Sequence, residues 1–229
     1  MISIVVPCYN EETRITQFLE KLVKICSSRN YEIIVIDDGS TDGTMGVVSS
    51  IIKGKKNCRV ISYKNNMGKG FAVRTGVMAA KGNFIIFIDA DGSIDPDEIK
   101  NMEKYAEKYD VIVGTRASKE SVVDQPRKRK LIGMMFNFSV NTIFHTGIKD
   151  SLCGFKGFKK NVASSIFKDL RSNRWIFDVE VFYKIRKKKY SMFQMPIHWI
   201  HKENSKITLF DPLKMFFQLL VLRIKMFSE

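Results

Sequence analysis

The sequence predicts an α/β fold in which helices cover both faces of a mostly parallel sheet. Short, continuously apolar runs at residues 2–6, 32–36 and 83–88 alternate with segments of helical periodicity. Strands that are apolar throughout are typical of parallel sheets buried on both faces. Two of these runs end in acidic clusters, at residues 37–38 and 89–91. Because ligands bind beyond the carboxyl ends of strands in such sheets, both clusters are expected on one binding rim.

The remaining elements follow from local patterns. Further strands are predicted at residues 59–62, 111–113 and 193–200. Apolar residues at helical spacing predict helices at residues 13–27, 44–52, 70–80, 97–109, 131–144, 162–170, 178–188 and 212–227. Residues 117–130 have the composition of a loop, and residues 150–158 are rich in turn-forming residues.

Composition and charge narrow the possible partners. A chain of 229 residues that is 45% hydrophobic fits one large domain, with or without a short appendage. Residues 1–118 carry a net charge of +1, whereas residues 119–229 carry +13. The second half is therefore expected to contact nucleic acid, an anionic membrane or a phosphorylated substrate, unless its lysines are simply solvated. The four cysteines include no CxxC pair, so no structural zinc site is expected, and no secretory signal or membrane span is predicted.

The sharpest candidate site is the pair Asp89 and Asp91, which follows a predicted buried strand and precedes Gly92. Hard cations such as Mg²⁺ bind through one or two carboxylates together with phosphate oxygens. Aspartates after strands are also common turn residues. The position after an apolar strand favours a metal site that neutralises a leaving diphosphate.

Three other loops lie at predicted strand or helix ends. Asp37 or Asp38 could accept hydrogen bonds from a nucleobase or ribose, although the same stretch also contains good helix N-caps. Pro7, Tyr9 and Glu11 follow the first strand and could form a wall around a base. The segment 68–70 (Gly-Lys-Gly) is not a Walker A motif, but it could let the backbone approach a phosphate, or it could be a tight turn.

Together these motifs resemble the inverting glycosyltransferases of family 2, which have the GT-A fold. The matching motifs occur in the family's order: PCYNE, IDDGSTDGT, NMGKGFAVRTG and DADG. In the second half, residues 114–116, 150–156, 174–180 and 204–206 resemble dolichyl-phosphate β-glucosyltransferases and, slightly less, dolichyl-phosphate mannosyltransferases. The resemblance covers residues 2 to about 225.

The resemblance implies roles for individual residues. Those expected to bind the nucleotide-sugar are Pro7, Tyr9, Glu11, Asp37 (as a support of its loop), Asp38, Lys69, Asp89 and Lys206. Those expected to act in catalysis are Asp89, Asp91, Arg116 and Arg129, with Asp91 as the ligand of Mg²⁺ or Mn²⁺. Arg116, Arg129 and Lys206 would bind the donor diphosphate and the acceptor phosphate.

The implied reaction transfers a sugar, glucose as the first expectation, from a UDP-sugar to dolichyl or another polyprenyl phosphate. The mannosyltransferases carry Gln where this chain has Ser93, which argues against mannose and puts Ser93 in doubt as a ligand. UDP-N-acetylglucosamine and GDP-mannose remain alternative donors. A lipid phosphate is already an anion, so the reaction needs cationic positioning at both phosphates and not a strong base.

We divide the chain into a GT-A catalytic domain, residues 1–210, and an amphipathic helix, residues 211–229. The predicted apolar side of this helix consists of Met215, Phe216, Leu219, Leu220, Leu222 and Met226, with Lys214, Arg223 and Lys225 beside it. Such a pattern is typical of a helix that lies on a membrane, although the helix could instead pack on the domain. We therefore expect a peripheral protein on the cytoplasmic face of a membrane.

Two other functions are weaker alternatives. Transfer to a polysaccharide would need a general base, for which Asp178 and Glu180 are the candidates. A nucleic-acid-binding module is not expected, because no helix-turn-helix, zinc finger or RNP-like motif is present.

Overall fold

The computed structural model describes residues 1–202 and 211–227, apart from the side chains of residues 127–129, 211–216, 225 and 227. Nine strands occur in these residues: β1 (Ile2–Cys8), β2 (Tyr31–Asp37), β3 (Cys58–Ser62), β4 (Phe84–Ile88), β5 (Val111–Thr115), β6 (Val122–Asp124), β7 (Phe155–Lys159), β8 (Met192–Pro196) and β9 (His198–Ile200). The helices are α1 (Ile15–Ser27), α2 (Thr44–Ile52), α3 (Lys69–Ala79), α4 (Glu98–Glu103), α5 (Arg127–Phe144), α6 (Lys160–Phe167), α7 (Phe177–Lys187) and α8 (Asp211–Phe227).

The main sheet has the order β3-β2-β1-β4-β7-β5-β8, and β6 and β9 form a separate parallel pair. Strands β3, β2, β1 and β4 run parallel to one another, and β5 runs parallel to β8. Strand β7 runs antiparallel between β4 and β5. The predicted mostly parallel sheet is therefore confirmed, with one reversed strand inside it.

Helices cover both faces of this sheet, as predicted. Alternate residues of β1 show why: Ile4 and Val6 pack in one core cluster, whereas Val5 packs in another. The first cluster includes Phe18 and Leu22 of α1, and the second includes residues of α3, α6 and α7. All of β1 is buried, which explains why its sequence is continuously apolar.

Four sequence predictions differ from the structure. Residues 150–158, predicted as turns, contain most of β7, whose glycine and two lysines hide the strand pattern. The single strand predicted at 193–200 is two strands in different sheets. The helix predicted at 97–109 ends early, at Glu103. The loop predicted at 117–130 contains β6 and the first turn of α5.

Helices α5 and α8 pack against each other through a third apolar cluster that includes Val140, Phe144, Leu219 and Leu222. Both helices also carry large apolar side chains that are exposed: Leu131, Met134, Met135 and Phe138 on α5, and Phe217, Leu220, Val221 and Ile224 on α8. Among the described residues, none of the helices combines the length and apolar character needed to cross a bilayer.

Candidate active site

A cleft of about 320 Å³ lies at the carboxyl ends of the central strands. Most of the residues selected from the sequence line it: Pro7, Tyr9, Glu11, Asp38, Lys69, Asp89, Asp91 and Arg116. Asp37 lies beneath the rim and is not among the lining residues. The side chain of Arg129 and all of Lys206 are outside the described residues, so their roles stay predictions.

Asp89 follows β4 and forms an ion pair with Lys69 in the cleft. The Nζ atom of Lys69 lies 2.7 Å from Oδ1 and 2.8 Å from Oδ2 of Asp89. The same ammonium group lies 5.3 Å from the centre of the Trp175 ring, a cation–π distance. The Asp89 carboxylate thus already contacts a cation that belongs to the protein.

The pKa values of this pair show how strongly Asp89 depends on a cation. Burial raises the pKa of the Asp89 carboxyl, Lys69 opposes this effect, and the negative charge of Asp91 adds to it. Burial would lower the pKa of Lys69, but the charges of Asp89 and Asp178 outweigh it and raise the pKa. A cationic partner is therefore needed for Asp89 to be charged in the cleft.

Gly154 provides the space that the Asp89 side chain occupies. A Cβ atom on Gly154 would overlap the Asp89 carboxylate, and even the farther oxygen, Oδ1, would be only 2.6 Å away. The Asp89 N–H also donates to the Gly154 carbonyl at 3.0 Å. The loop before β7 therefore fixes the position of Asp89, which the sequence reading of this loop missed.

Asp91 lies on the same cleft, two residues further along. Its Oδ1 accepts the Ser93 N–H at 2.9 Å, which orients the carboxylate. Among the described residues, no group of three or more His, Cys, Asp or Glu side chains could hold a metal ion by itself. Such an arrangement fits Mg²⁺, which takes one or two protein carboxylates and completes its coordination with phosphate oxygens and water.

Asp37 and Asp38 both hold loops in place. Asp37 accepts the Ser40 N–H at 3.1 Å and the Ser62 hydroxyl at 2.9 Å. Asp38 accepts backbone N–H groups of Met67 and Gly68 at 2.8 and 2.9 Å. Asp38 thereby ties the end of β2 to the turn before α3, and its proposed contact with a nucleoside remains a prediction.

Glu11 forms one corner of the cleft with Arg14. Arg14 donates to both carboxylate oxygens of Glu11, at 2.8 and 2.7 Å. The Glu11 N–H donates to the Thr44 hydroxyl at 2.8 Å. Arg14 lines the cleft but was not selected from the sequence.

Arg116 is held in a bidentate ion pair with Asp150. Its Nε and Nη2 atoms lie 2.7 and 2.8 Å from the two Asp150 oxygens, and its N–H donates to the same carboxylate at 3.0 Å. The guanidinium carbon lies 5.3 Å from the centre of the Trp199 ring. Burial would lower the pKa of Arg116, but Asp150 outweighs it and raises the pKa. One edge of the guanidinium is therefore occupied, and only the remaining N–H groups could bind a phosphate.

A buried ion pair supports the floor of the cleft. Lys156 of β7 is fully buried, and its Nζ lies 2.7 Å from Asp178 Oδ1 and 2.6 Å from the Cys153 carbonyl oxygen. Burial raises the pKa of Asp178, and Lys156 opposes this shift. Asp178, an open candidate for a general base, thus lies on the cleft but is already paired.

Several further residues line the cleft without having been selected as site residues: Asn66, Leu152, Arg174, Trp175, Trp199 and Lys202. Arg174 and Trp175 belong to the segment 174–180 that carries the family resemblance, but the resemblance implied no role for either residue. For Lys202 the basic composition of the second half was the only sequence signal.

Comparison with known proteins agrees with this geometry. Residues 3–167 match Glycosyl transferase family 2. The chain is 35% identical to human dolichyl-phosphate beta-glucosyltransferase, over 91% of this chain and 70% of that protein. It is 32% identical to the Dictyostelium discoideum protein of the same name, over 92% of this chain and 69% of that protein.

Solved structures confirm the fold. Glucosyl-3-phosphoglycerate synthase from Mycobacterium tuberculosis, bound to phosphoglyceric acid, superposes with a TM-score of 0.73 at 16% identity, over 98% of this chain and 79% of that chain. The same enzyme bound to Mg²⁺ and UDP superposes with a TM-score of 0.72 at 17% identity, over 97% of this chain and 79% of that chain. The predicted GT-A fold is therefore confirmed. This chain belongs to Glycosyl transferase family 2 and is a glycosyltransferase similar to the dolichyl-phosphate β-glucosyltransferases.

Proposed function

We propose that this enzyme transfers glucose from UDP-glucose to dolichyl or another polyprenyl phosphate, with inversion at the sugar C1, on the cytoplasmic face of a membrane. The observation that carries the proposal is one shared cleft. Asp38, Asp89 and Asp91 lie on it together with Arg116 and with two cations of the basic second half, Arg174 and Lys202.

The names of similar proteins support the substrates. The human and Dictyostelium relatives are named for the transfer of glucose to dolichyl phosphate. The mycobacterial enzyme with the same fold has been solved with UDP-glucose and Mn²⁺. That likeness is one of fold, so it supports the way in which a nucleotide-sugar and a metal are held and says nothing about the acceptor.

In this proposal Asp91 binds Mg²⁺ or Mn²⁺, and Asp89 contacts the ribose or the sugar. Once bound, the cation would neutralise charge on the departing diphosphate. The nucleoside would lie against Pro7, Tyr9 and Glu11, on the wall of the cleft next to the acids.

Lys69 provides the local charge balance for this arrangement. Its ammonium neutralises Asp89 before the donor binds. With a divalent cation held by Asp91, Lys69 could bind a phosphate oxygen of the donor in place of the Asp89 carboxylate. The two positive charges of the cation and the two negative charges of the donor diphosphate cancel, so the net charge of the cleft would stay nearly constant.

The reaction itself needs little acid–base chemistry. An oxygen of the acceptor phosphate attacks C1 of glucose, the bond from C1 to the UDP oxygen breaks, and UDP leaves with the electron pair. The acceptor is already ionised, so no side chain has to remove a proton. The protein's task is to hold two phosphate groups close together, and the cations Arg116, Arg174 and Lys202 on the cleft are suited to it.

Two exposed apolar stripes support action at a membrane. The exposed residues of α5 lie at positions 131, 134, 135 and 138, and those of α8 at 217, 220, 221 and 224. Both sets have the spacing of one helix face. Phe138 and Ile224 are 74% and 70% exposed. Basic charge in the second half complements the anionic lipids of a cytoplasmic leaflet, so we propose that both helices lie on the membrane surface.

The exposed apolar residues of α8 are only in part those that the sequence predicted for its membrane-facing side. Leu219 and Leu222 were assigned to that side, but they are buried against α5. Phe217, Val221 and Ile224 are exposed instead. One side of the helix packs on the protein, and another apolar side is left exposed. Packing on the domain and contact with a membrane are therefore compatible.

The test is transfer from a panel of donors. Purified enzyme is incubated with Mg²⁺, dolichyl phosphate and radiolabelled UDP-glucose, UDP-N-acetylglucosamine or GDP-mannose, and the products are extracted into organic solvent. We expect label in the organic phase with UDP-glucose, and no label when metal is chelated. Absence of organic-phase label from every donor would refute the proposed function.

A further inference from the structure

A second and larger groove, of about 850 Å³, lies between α7 and α8. Its volume is within the range of small-molecule binding sites. One wall is apolar and includes Phe217, Val221 and Met226 of α8. The facing wall has more basic than acidic residues: it includes Lys184, Lys187 and Lys188 of α7 and the loop after it, but also Glu180, which forms an ion pair with Lys184 at 2.9 Å. A groove with one apolar and one basic wall fits an anionic amphiphile.

The backbone segment 171–174 separates this groove from the donor cleft, and it is held firmly. Glu180 accepts the N–H groups of Arg171 and Ser172 at 3.0 and 2.8 Å. The Asn173 carbonyl accepts the Phe71 N–H at 3.1 Å. Gly68 and Gly70 allow this approach, because a Cβ on either residue would meet backbone atoms of the segment at 3.2 Å or less. The glycines of the Gly-Lys-Gly turn therefore make room for the wall between the two cavities.

Arg174 lines both the donor cleft and the groove. Three other cations of the cleft already have acidic partners: Arg14 with Glu11, Lys69 with Asp89, and Arg116 with Asp150. Lys202 also lines the cleft, but it does not line the groove. Within residues 1–202 and 211–227, the exposed Arg174 guanidinium makes no ion pair or hydrogen bond with another side chain. A fixed backbone thus presents an available guanidinium at the junction of the two cavities.

We propose that the groove between α7 and α8 binds the isoprenoid chain of the acceptor and that Arg174 binds its phosphate where the groove meets the donor cleft. This inference rests on the proposed function. Charge complementarity supports it, since the phosphate faces Arg174 while the chain lies along the apolar wall. The side chains from Phe217 to Met226 span about 14 Å of helix, enough for the first few isoprene units. Phe217 and Val221 are also exposed, so the groove opens onto the apolar face from which a lipid would enter.

The chain-binding part is tested with Val221→Trp, which should fill the groove, and Met78→Trp as the matched control. Met78 of α3 is exposed to nearly the same extent, 48% against 50% for Val221, but it lines neither cavity and belongs to neither exposed apolar stripe. Acceptor KM is measured in detergent micelles, at saturating UDP-glucose, for geranyl phosphate and for a long polyprenyl phosphate. Val221→Trp should raise KM for the long acceptor about tenfold or more, from lost apolar burial, and leave KM for geranyl phosphate within about twofold. Met78→Trp should change neither.

The phosphate-binding part is tested with Arg174→Gln and Arg174→Lys. Loss of a charge-assisted hydrogen bond should raise KM for both acceptors by roughly ten- to a hundredfold, and Arg174→Lys should restore part of the loss. Unchanged UDP affinity and an unchanged circular dichroism spectrum would show that the donor cleft and the fold are intact.

The outcomes separate this inference from the proposed function. If the wild-type enzyme transfers glucose to no polyprenyl phosphate, the proposed function itself fails. If it transfers glucose but Val221→Trp affects both acceptors equally or neither, the groove does not hold the chain. A variant that loses only vesicle binding, or only self-association, would assign the groove to membrane headgroups or to a second copy of the chain, and either result would overturn the inference.

Discussion

The substitution Gly154→Ala tests whether the position of Asp89 is essential, without changing any charged group. The new methyl group would overlap the Asp89 carboxylate, with Oδ1 only 2.6 Å from the added Cβ. Ordinary contacts are near 3.5 Å, so the carboxylate must move by about 1 Å or more. The Asp89 backbone is bonded to the Gly154 carbonyl, so the displacement falls mainly on the side chain and its contact with Lys69.

The expected loss of stability and the expected loss of activity follow from two separate effects. Overpacking of this kind costs about 1–3 kcal/mol, which for a domain of this size lowers Tm by roughly 2–12 °C. A misplacement of about 1 Å in a reacting geometry lowers the rate by on the order of a hundredfold. We therefore expect kcat/KM at 25 °C to fall about a hundredfold while the protein remains folded.

The assay is transfer of labelled glucose to dolichyl phosphate, with melting followed by circular dichroism. Gly46→Ala is the matched control, because Gly46 is an exposed residue of α2 with nothing within 4 Å of an added Cβ. Alanine there should stabilise the helix by about 0.5–1 kcal/mol and leave activity unchanged. A folded Gly154→Ala enzyme with wild-type kcat/KM would refute the reasoning, since the observed position of Asp89 would then be dispensable.

Three further predictions concern the charged residues of the site. Asp91→Asn should remove metal-dependent turnover and keep Tm nearly unchanged, because the asparagine carbonyl can still accept the Ser93 N–H; turnover is measured against Mg²⁺ and Mn²⁺ concentration. Lys156→Met leaves the buried Asp178 carboxylate without its partner and should lower the free energy of unfolding by about 3–5 kcal/mol, measured by urea denaturation. Asp150→Asn should destabilise the protein at neutral pH, with a difference from wild type that shrinks as pH falls below about 4.

The pH dependence of the last prediction follows from the direction of the pKa shift. Burial alone would raise the pKa of Asp150, but the hydrogen bonds and charge of Arg116 outweigh it and hold the pKa below its ordinary value of 3.8. A carboxyl whose pKa is lower in the folded state contributes stability that is complete above the unfolded pKa and is lost as pH falls through the folded pKa. Asparagine does not titrate, so the variant has no such pH-dependent contribution. The free energy of unfolding of wild type should therefore approach that of Asp150→Asn in acid.

Each of these predictions has a result that would contradict it. Asp97→Asn, at an exposed carboxylate away from the cleft, should keep full activity, and equal losses in it and in Asp91→Asn would deny Asp91 a special role. A loss below about 1 kcal/mol in Lys156→Met would mean that water or rearrangement solvates Asp178. A difference between Asp150→Asn and wild type that stays constant from pH 7 to pH 3 would show that its carboxylate charge is unimportant.

The part of the fold predicted from the sequence is the part encoded by local pattern. The buried parallel strands β1, β2 and β4 are continuously apolar and end in motifs, so both the sheet and its binding rim could be predicted. Strand β7 could not, because it contains Lys156, whose burial is possible only next to Asp178, 22 residues away. A lysine in a short, glycine-containing segment looks like a surface turn until its distant partner is known.

The same limit applies to helices α5 and α8, which carry exposed apolar side chains. In α5, residues 136, 140 and 144 form one apolar stripe and residues 131, 134, 135 and 138 form another. The first packs in the cluster with α8, and the second is exposed. Periodicity alone cannot tell which stripe packs inward. The same ambiguity led to the wrong assignment of Leu219 and Leu222 to the open side of α8.

The ion pairs of the cleft explain why motif residues gave the location of the site more reliably than its chemistry. Lys69 and Arg116 are each bound to a carboxylate of the protein, so a phosphate must compete with Asp89 or Asp150 for them. In the proposed function Asp91 would hold the divalent cation that accompanies the donor, and its positive charge would offset the neighbouring Asp89 carboxylate if Lys69 bound a phosphate oxygen instead. The acceptor phosphate brings no metal, so it needs a cation without an acidic partner. Among the described cations of the cleft, Arg174 and Lys202 meet this requirement, and Arg174 alone of the two also lines the groove beside α8, which is why we propose Arg174 as the contact of the acceptor phosphate.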